Sequence, residues 1–246
     1  MLIQKFGGTS LADIKGFVAA AGIISNAAAT EKVVVVLSAM AGVTDLLENS
    51  IETAINNGDF NAVIQGIKDR EQGVLQKMAA EGWDCPLATE FLQVQLKRLE
   101  SRLAGVALLE QCPEEVKAEL LSSGEGFSSR LMCDLLQAQG YAARWSDTAV
   151  LPPANDSYTD SLVDVEAAAP LLQQAMSGDH DILVLPGFYG CNELGKPQLM
   201  GRNGSDYTAA CVAAGLKART FEIWKDDDAF FTADPLIVKN ARCLDE

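Results

Sequence analysis

The sequence predicts an α/β fold with a mostly parallel central sheet and one long helical excursion, and three observations lead there. Lys32-Val33-Val34-Val35-Val36-Leu37-Ser38 is a continuous β-branched run and Ile182 to Phe188 an apolar run ending in a Gly-bracketed turn, the mark of strands buried on both faces. Stretches with apolar residues at helical spacing alternate with these strands. Each strand end runs into a loop of small residues, where open α/β sheets gather their ligands. At 246 residues the chain suffices for one large α/β domain or two small ones.

The opening strand Met1-Leu2-Ile3 breaks at once into Gln4-Lys5-Phe6-Gly7-Gly8-Thr9-Ser10. Paired glycines turn without a Cβ, which leaves amides to face an anion, and Lys5 adds a mobile charge. The same turn also occurs in α/β proteins without a ligand, and Lys-x-Gly-Gly is too short for a Walker A loop. Leu11 to Asn26 has helical periodicity, with Thr9 or Ser10 as the expected N-cap. After the valine strand come Ser38-Ala39-Met40-Ala41-Gly42-Val43-Thr44 and a helix at Asp45. Ser38 and Thr44 there serve either as caps or as ligand contacts. Residues 46–120 read as the helical excursion, interrupted at Asn57-Gly58-Asp59 and Gly82 to Pro86.

Glu125 stands between Gly124 and Gly126, which would leave its charge uncovered for an ammonium group; composition alone also allows a solvated surface residue. Tyr141 to Asp147 reads as a strand, 150–164 as a loop, and Val165 to Met176 as a helix. The second buried strand ends at Gly187-Phe188, and Cys191 to Gln198 suggests a hairpin. Gly201-Arg202-Asn203-Gly204-Ser205-Asp206 follows, opening an Ala-rich helix that Gly215 closes. Arg202 offers a bidentate fork to a carboxylate or phosphate, and the helix start adds amides. Capping explains Ser205 and Asp206 but gives no reason for Gly-Arg-x-Gly. Thr220 to Trp224 is the last strand, followed by Lys225-Asp226-Asp227-Asp228, which reads as a Mg²⁺ cluster or a solvated charge run.

A net charge of −15 excludes a nucleic-acid or anionic-membrane surface, so any anionic ligand must be held locally. The six cysteines show no metal-ligand spacing and read as reduced residues of a cytoplasmic protein. No basic, apolar leader opens the chain, and no run is long enough to span a membrane. His180 is the single histidine, which leaves a histidine-based triad no support.

Together, Lys5 to Ser10, Ser38 to Thr44, Gly124-Glu125, Gly187-Phe188, Gly201 to Tyr207 and Asp226 to Pro235 resemble, in order and spacing, the aspartate kinase catalytic domain of the amino-acid kinase superfamily. The form Gly-Arg-Asn-Gly-Ser-Asp-Tyr is most similar to the kinase half of bifunctional aspartokinase–homoserine dehydrogenases. The resemblance implies a three-layer α/β/α sandwich. It also implies ATP-dependent phosphorylation of the L-aspartate side chain to 4-phospho-L-aspartate, with Mg²⁺. On it, Lys5 and Asp206 are catalytic, and Gly7, Gly8, Thr9 and Ser38 hold phosphate. Thr44, Glu125, Arg202, Asn203, Gly204 and Ser205 bind aspartate, Glu125 taking the ammonium and Arg202 a carboxylate; Lys225, Asp226 and Phe231 face the nucleotide. A homodimer is expected.

The nucleotide side departs from the family pattern Thr-Asp-Val-Asp-Gly-Val-Tyr-Thr-Ala-Asp-Pro-Arg. Here the first threonine is Lys225, the glycine Ala229, the tyrosine Phe231 and the arginine Leu236. The resemblance further implies a kinase domain over 1–246, truncated before its last segment and without ACT domains. A competing reading is an aspartate-binding or dimer-forming relative with a degenerate ATP site.

Overall fold

The computed structural model describes residues 1–225, 232 and 238–242. Five parallel strands form the central sheet: β1 (Leu2–Phe6), β2 (Val33–Leu37), β3 (Ala143–Trp145), β4 (Ile182–Pro186) and a last strand, β7 (Thr220–Trp224). Their order is β3-β4-β2-β1-β7, so the strands bearing the main loops stand side by side. Between β4 and β7 a short antiparallel hairpin, β5 (Tyr189–Cys191) and β6 (Pro197–Leu199), lies outside the sheet.

Alternation along the strands divides the interior into two apolar layers. Val33, Val35, Leu37, Ile182 and Val184 face one layer, while Ile3, Val34, Val36, Leu183 and Leu185 face the other. All five β2 side chains are fully buried, each burial contributing roughly 1.5–3 kcal/mol before entropy is subtracted. The first layer is covered by α1 (Ile14–Ala28), α2 (Val43–Ile55), α3 (Phe60–Ala80), α4 (Pro86–Leu109), α5 (Glu114–Leu121) and α6 (Ser123–Ala138). The second is covered by α7 (Val165–Ala175) and α8 (Gly204–Gly215), completing an α/β/α sandwich.

Helices α2 to α5 follow one another between β2 and α6, and their apolar residues Leu47, Ile51, Ile67, Leu99 and Leu103 continue the core that contacts the sheet. One local expectation is corrected. Asp13, not Thr9 or Ser10, caps α1: its Oδ1 accepts from the Gly16 amide at 3.0 Å, while Thr9–Leu11 forms a separate 3₁₀ turn. Gly215 is the last residue of α8, as expected, and a Cβ there would come within 3.1 Å of Leu172 on α7. Edge strand β7 is tied in by Glu222, whose carboxylate accepts from Gln4 on β1 at 2.9 Å and from the Trp224 indole at 3.1 Å.

Candidate active site

Because β1, β2, β4 and β7 are parallel, their carboxyl ends open on one edge, and a cleft of about 790 Å³ lies there. Lys5, Gly7, Gly8 and Thr9 line it from the β1 loop, Ser38 and Thr44 from the β2 loop, and Glu125 from α6. Arg202, Asn203, Gly204, Ser205 and Asp206 line it from the start of α8, and Lys225 from the end of β7. Asp226 and Phe231 lie outside the described residues. Sequence reading missed Lys117 and Thr159, which also face the cleft. Neither belongs to a local motif, and only the approach of α5 and of the 150–164 loop brings them in.

Lys5 is two residues from Ile3 and shares its face of the sheet, the one α8 covers. Its ammonium meets Asp206 Oδ1 at 2.6 Å, and Lys225 Nζ meets Oδ2 of the same carboxylate at 2.8 Å. Lys5 is only 5% exposed, so it is a fixed charge, not the mobile one expected. Burial lowers its pKa against the opposing pull of Asp206. Burial would raise the Asp206 carboxyl, but hydrogen bonds from Lys225 and Lys5 outweigh it and hold the group below its usual value. One carboxylate thus holds two cations at the mouth of the β1 loop.

The loop amides are less available than the paired glycines suggested. The Gly7 amide donates to Trp224 O at 3.0 Å, extending the β1–β7 ladder by one bond, so it is not free for an anion. The Gly8 and Thr9 amides have no acceptor among the described residues. Gly8 is required for close approach: a Cβ there would lie 2.8 Å from Ala39 O, and Gly8 O accepts from the Ala41 amide at 3.1 Å. The β1 and β2 loops therefore pack backbone on backbone.

Glu125 corrects a further expectation. Its flanking glycines do not uncover the charge; they let α6 pack closely. A Cβ at Gly124 would meet Ala39 at 2.8 Å, and one at Gly126 would meet the Phe91 ring at 2.6 Å. Glu125 is consequently 4% exposed, with Oε2 lacking a hydrogen-bond partner among the described residues. Burial pushes its pKa up to about 8, against backbone hydrogen bonds and the Lys5 charge that pull it down. An unpartnered buried carboxyl facing a cleft is a receptor for a cation.

Arg202 lines the same cleft, flanked by Gly201 (φ 65) and Asn203 (φ 57) in left-handed backbone. It is exposed and forms no ion pair with a described residue, so its fork is open to an anion. The cleft therefore offers a cation receptor, an anion fork and a lysine pair, a set suited to joining a zwitterion with a phosphate-bearing ligand.

A model of the amino acid kinase family matches residues 1–246. The chain belongs to the amino acid kinase family. Among curated relatives, this amino acid kinase is 34% identical over 254 residues to the bifunctional aspartokinase/homoserine dehydrogenase of Buchnera aphidicola subsp. Acyrthosiphon pisum, a match covering 99% of this chain and 30% of that protein. It is 30% identical to lysine-sensitive aspartokinase 3 of Escherichia coli, over 100% of this chain and 53% of that protein. The chain thus spans between about a third and a half of the length of these two relatives. Its fold superposes on E. coli aspartokinase III in complex with aspartate and ADP at a TM-score of 0.87 and 29% identity, over 100% of this chain and 53% of that one. The kinase family, the α/β/α layers and the parallel sheet agree with the sequence-based expectation. Among the described residues no helix is long and apolar enough to cross a membrane.

Proposed function

We propose that this amino acid kinase domain transfers the γ-phosphoryl group of ATP to the side-chain carboxylate of L-aspartate, giving 4-phospho-L-aspartate and ADP, the entry step to the aspartate-derived amino acids lysine, threonine and methionine. The carrying observation is the buried Glu125 carboxyl with an unpartnered oxygen, sharing one cleft with Arg202 and the Lys5–Asp206–Lys225 cluster. Similarity to the E. coli enzyme bound to aspartate and ADP supports the reading.

In this reading Glu125 receives the substrate ammonium and Arg202 the α-carboxylate, with Thr44 and the start of α8 (Asn203, Gly204, Ser205) closing around them. That leaves the side-chain carboxylate directed at Lys5. Its oxygen attacks the γ-phosphorus, the bond to the bridging oxygen of ADP breaks, and the leaving electron pair stays on ADP. No base is required, because an aspartate carboxyl ordinarily titrates at about pH 3.9 and is already ionised at neutral pH. Catalysis is then positioning and charge neutralisation on the transferring group. Lys5 contributes a charge that Asp206 holds in place, and the Gly8 and Thr9 amides with the Ser38 hydroxyl cradle the phosphates; Lys225 lies toward the nucleotide.

Mg²⁺ would enter on the nucleotide. No group of three potential metal-ligating side chains occurs among the described residues, which fits an ion that keeps waters and is held chiefly by substrate phosphates. When bound it neutralises phosphate charge. We further read the chain as one amino-acid kinase domain, with 46–120 a helical excursion within it, acting as a cytoplasmic homodimer. The free cysteines among the described residues support a reducing compartment, and light scattering tests the dimer.

The test is coupled detection of ADP with Mg-ATP and L-aspartate, beside calorimetric titration of aspartate. Turnover with aspartate and not with glutamate is expected. Aspartate binding without turnover would instead support the non-catalytic relative, and absence of binding would overturn both.

A further inference from the structure

We infer that a second cavity, of about 490 Å³, bounded by α4, α6, β3 and the β5–β6 hairpin, is a ligand site that takes a small monocarboxylate on Arg130. Arg130 lies on α6, with its guanidinium carbon 4.1 Å from the Phe91 ring centroid and 3.6 Å from that of Trp145. Among the described residues its one hydrogen bond is from Nη1, donating to Gly126 O at 2.9 Å, out of five N–H donors. No described carboxylate lies within ion-pair distance of it. The cavity's other cations each touch a carboxylate: Arg98 and Arg102 share Glu119, and Lys196 pairs with Glu115. Among the described residues Arg130 is the lining cation with no carboxylate in contact; Asp147 and Asp134 act on it only from beyond ion-pair distance, and it is half-buried between aromatic rings where an unpaired ion is costly.

A second, independent observation is Gln95 on α4. It lines the same cavity, is 4% exposed, and neither its amide nitrogen nor its oxygen has a hydrogen-bond partner among the described residues. A buried amide with both functions unsatisfied is a donor and an acceptor awaiting a ligand. The occupant's chemistry follows. A planar fork between two rings matches a planar carboxylate, and a neighbouring hydroxyl would suit Gln95. With Arg98, Arg102, Arg130 and Lys196 set against Glu115, Glu119 and Asp147, the lining carries one net positive charge, which disfavours the second charge of a phosphate.

The test titrates L-lactate, with inorganic phosphate as the comparison, and follows the Trp145 indole N–H by ¹H–¹⁵N NMR. This proton donates to Ser129 Oγ at 3.0 Å, and its signal is assigned by its loss in Trp145→Phe. Lactate should shift it saturably in the millimolar range, and Arg130→Met should weaken binding at least about tenfold. Gln95→Leu should weaken it less, and phosphate should bind more weakly than lactate. Should Arg130→Met fail to fold, Arg130→Lys keeps the charge, loses the fork, and should still weaken lactate. The inference is overturned if lactate gives no saturable shift, if a folded Arg130 variant binds it as the parent does, or if phosphate binds more tightly. The assay needs no turnover, so its outcome is independent of the kinase reading.

Discussion

Aspartate binding should release a proton, and Glu125 is the source. Its carboxyl titrates near pH 8 in the unliganded cleft, because burial there is barely offset by Lys5 and backbone hydrogen bonds. At pH 7 a group with that pKa is neutral in about ten molecules of eleven, so forming the charged carboxylate costs about 1.4 kcal/mol. An ammonium seated on Oε2 demands the charged form. Binding at pH 7 should therefore release about 0.9 proton, and affinity should rise about ninefold from pH 6 to 7 and about fifty-fold from pH 6 to 8. Calorimetry at pH 7 in buffers of different ionisation enthalpy measures the release as the slope of observed heat against buffer enthalpy. The stability sign agrees. A folded pKa raised above 4.5 gives a contribution complete below pH 4.5 and lost as pH rises through about 8, so the thermal shift produced by aspartate should grow with pH. Glu125→Gln should bind aspartate weakly and with a flat pH profile. A slope near zero, or a wild-type affinity flat from pH 6 to 8, would refute the assignment of the ammonium to Glu125.

Three further outcomes follow from the same geometry. Asp206→Asn removes the charge that both Lys5 and Lys225 contact, and should lower kcat by roughly 10²–10³-fold and, by leaving the buried Lys5 without its counter-charge, lower Tm as well, read by ADP release and thermal melting. Gly8→Ala forces a methyl to 2.8 Å from Ala39 O and should destabilise the protein by about 1–3 kcal/mol in urea unfolding; unchanged stability would mean the β1 and β2 loops separate freely. Glu71 is fully buried on α3, with both oxygens lacking partners among the described residues, and burial holds its pKa well above 4.5. Its contribution is complete below pH 4.5 and declines as pH rises through the folded value, so Glu71→Met should stabilise by roughly 1–3 kcal/mol at pH 8 and by less at pH 5.

The sheet and the loops that carry the site are legible in the order of residues. Five consecutive buried positions in β2 can only be a strand covered on both faces, and parallel strands place every carboxyl-end loop on one edge. That was enough to expect Lys5 and Ser38 in one place and Arg202 on a neighbouring strand-end loop; Asp206 joined them through the family resemblance. The state of each group, by contrast, depends on how distant segments pack. Lys5 reads as a mobile charge until α8 brings Asp206 against it, and the Gly7 amide reads as free until β7 takes it. Glu125 reads as exposed between glycines until those glycines are seen against Ala39 and Phe91, residues far away in the chain. Lys117, Thr159 and the Arg130 cavity left no local signal at all. Strand burial is written in neighbouring residues, whereas burial of a charge, its partner and its pKa depend on packing between segments that sequence order keeps apart.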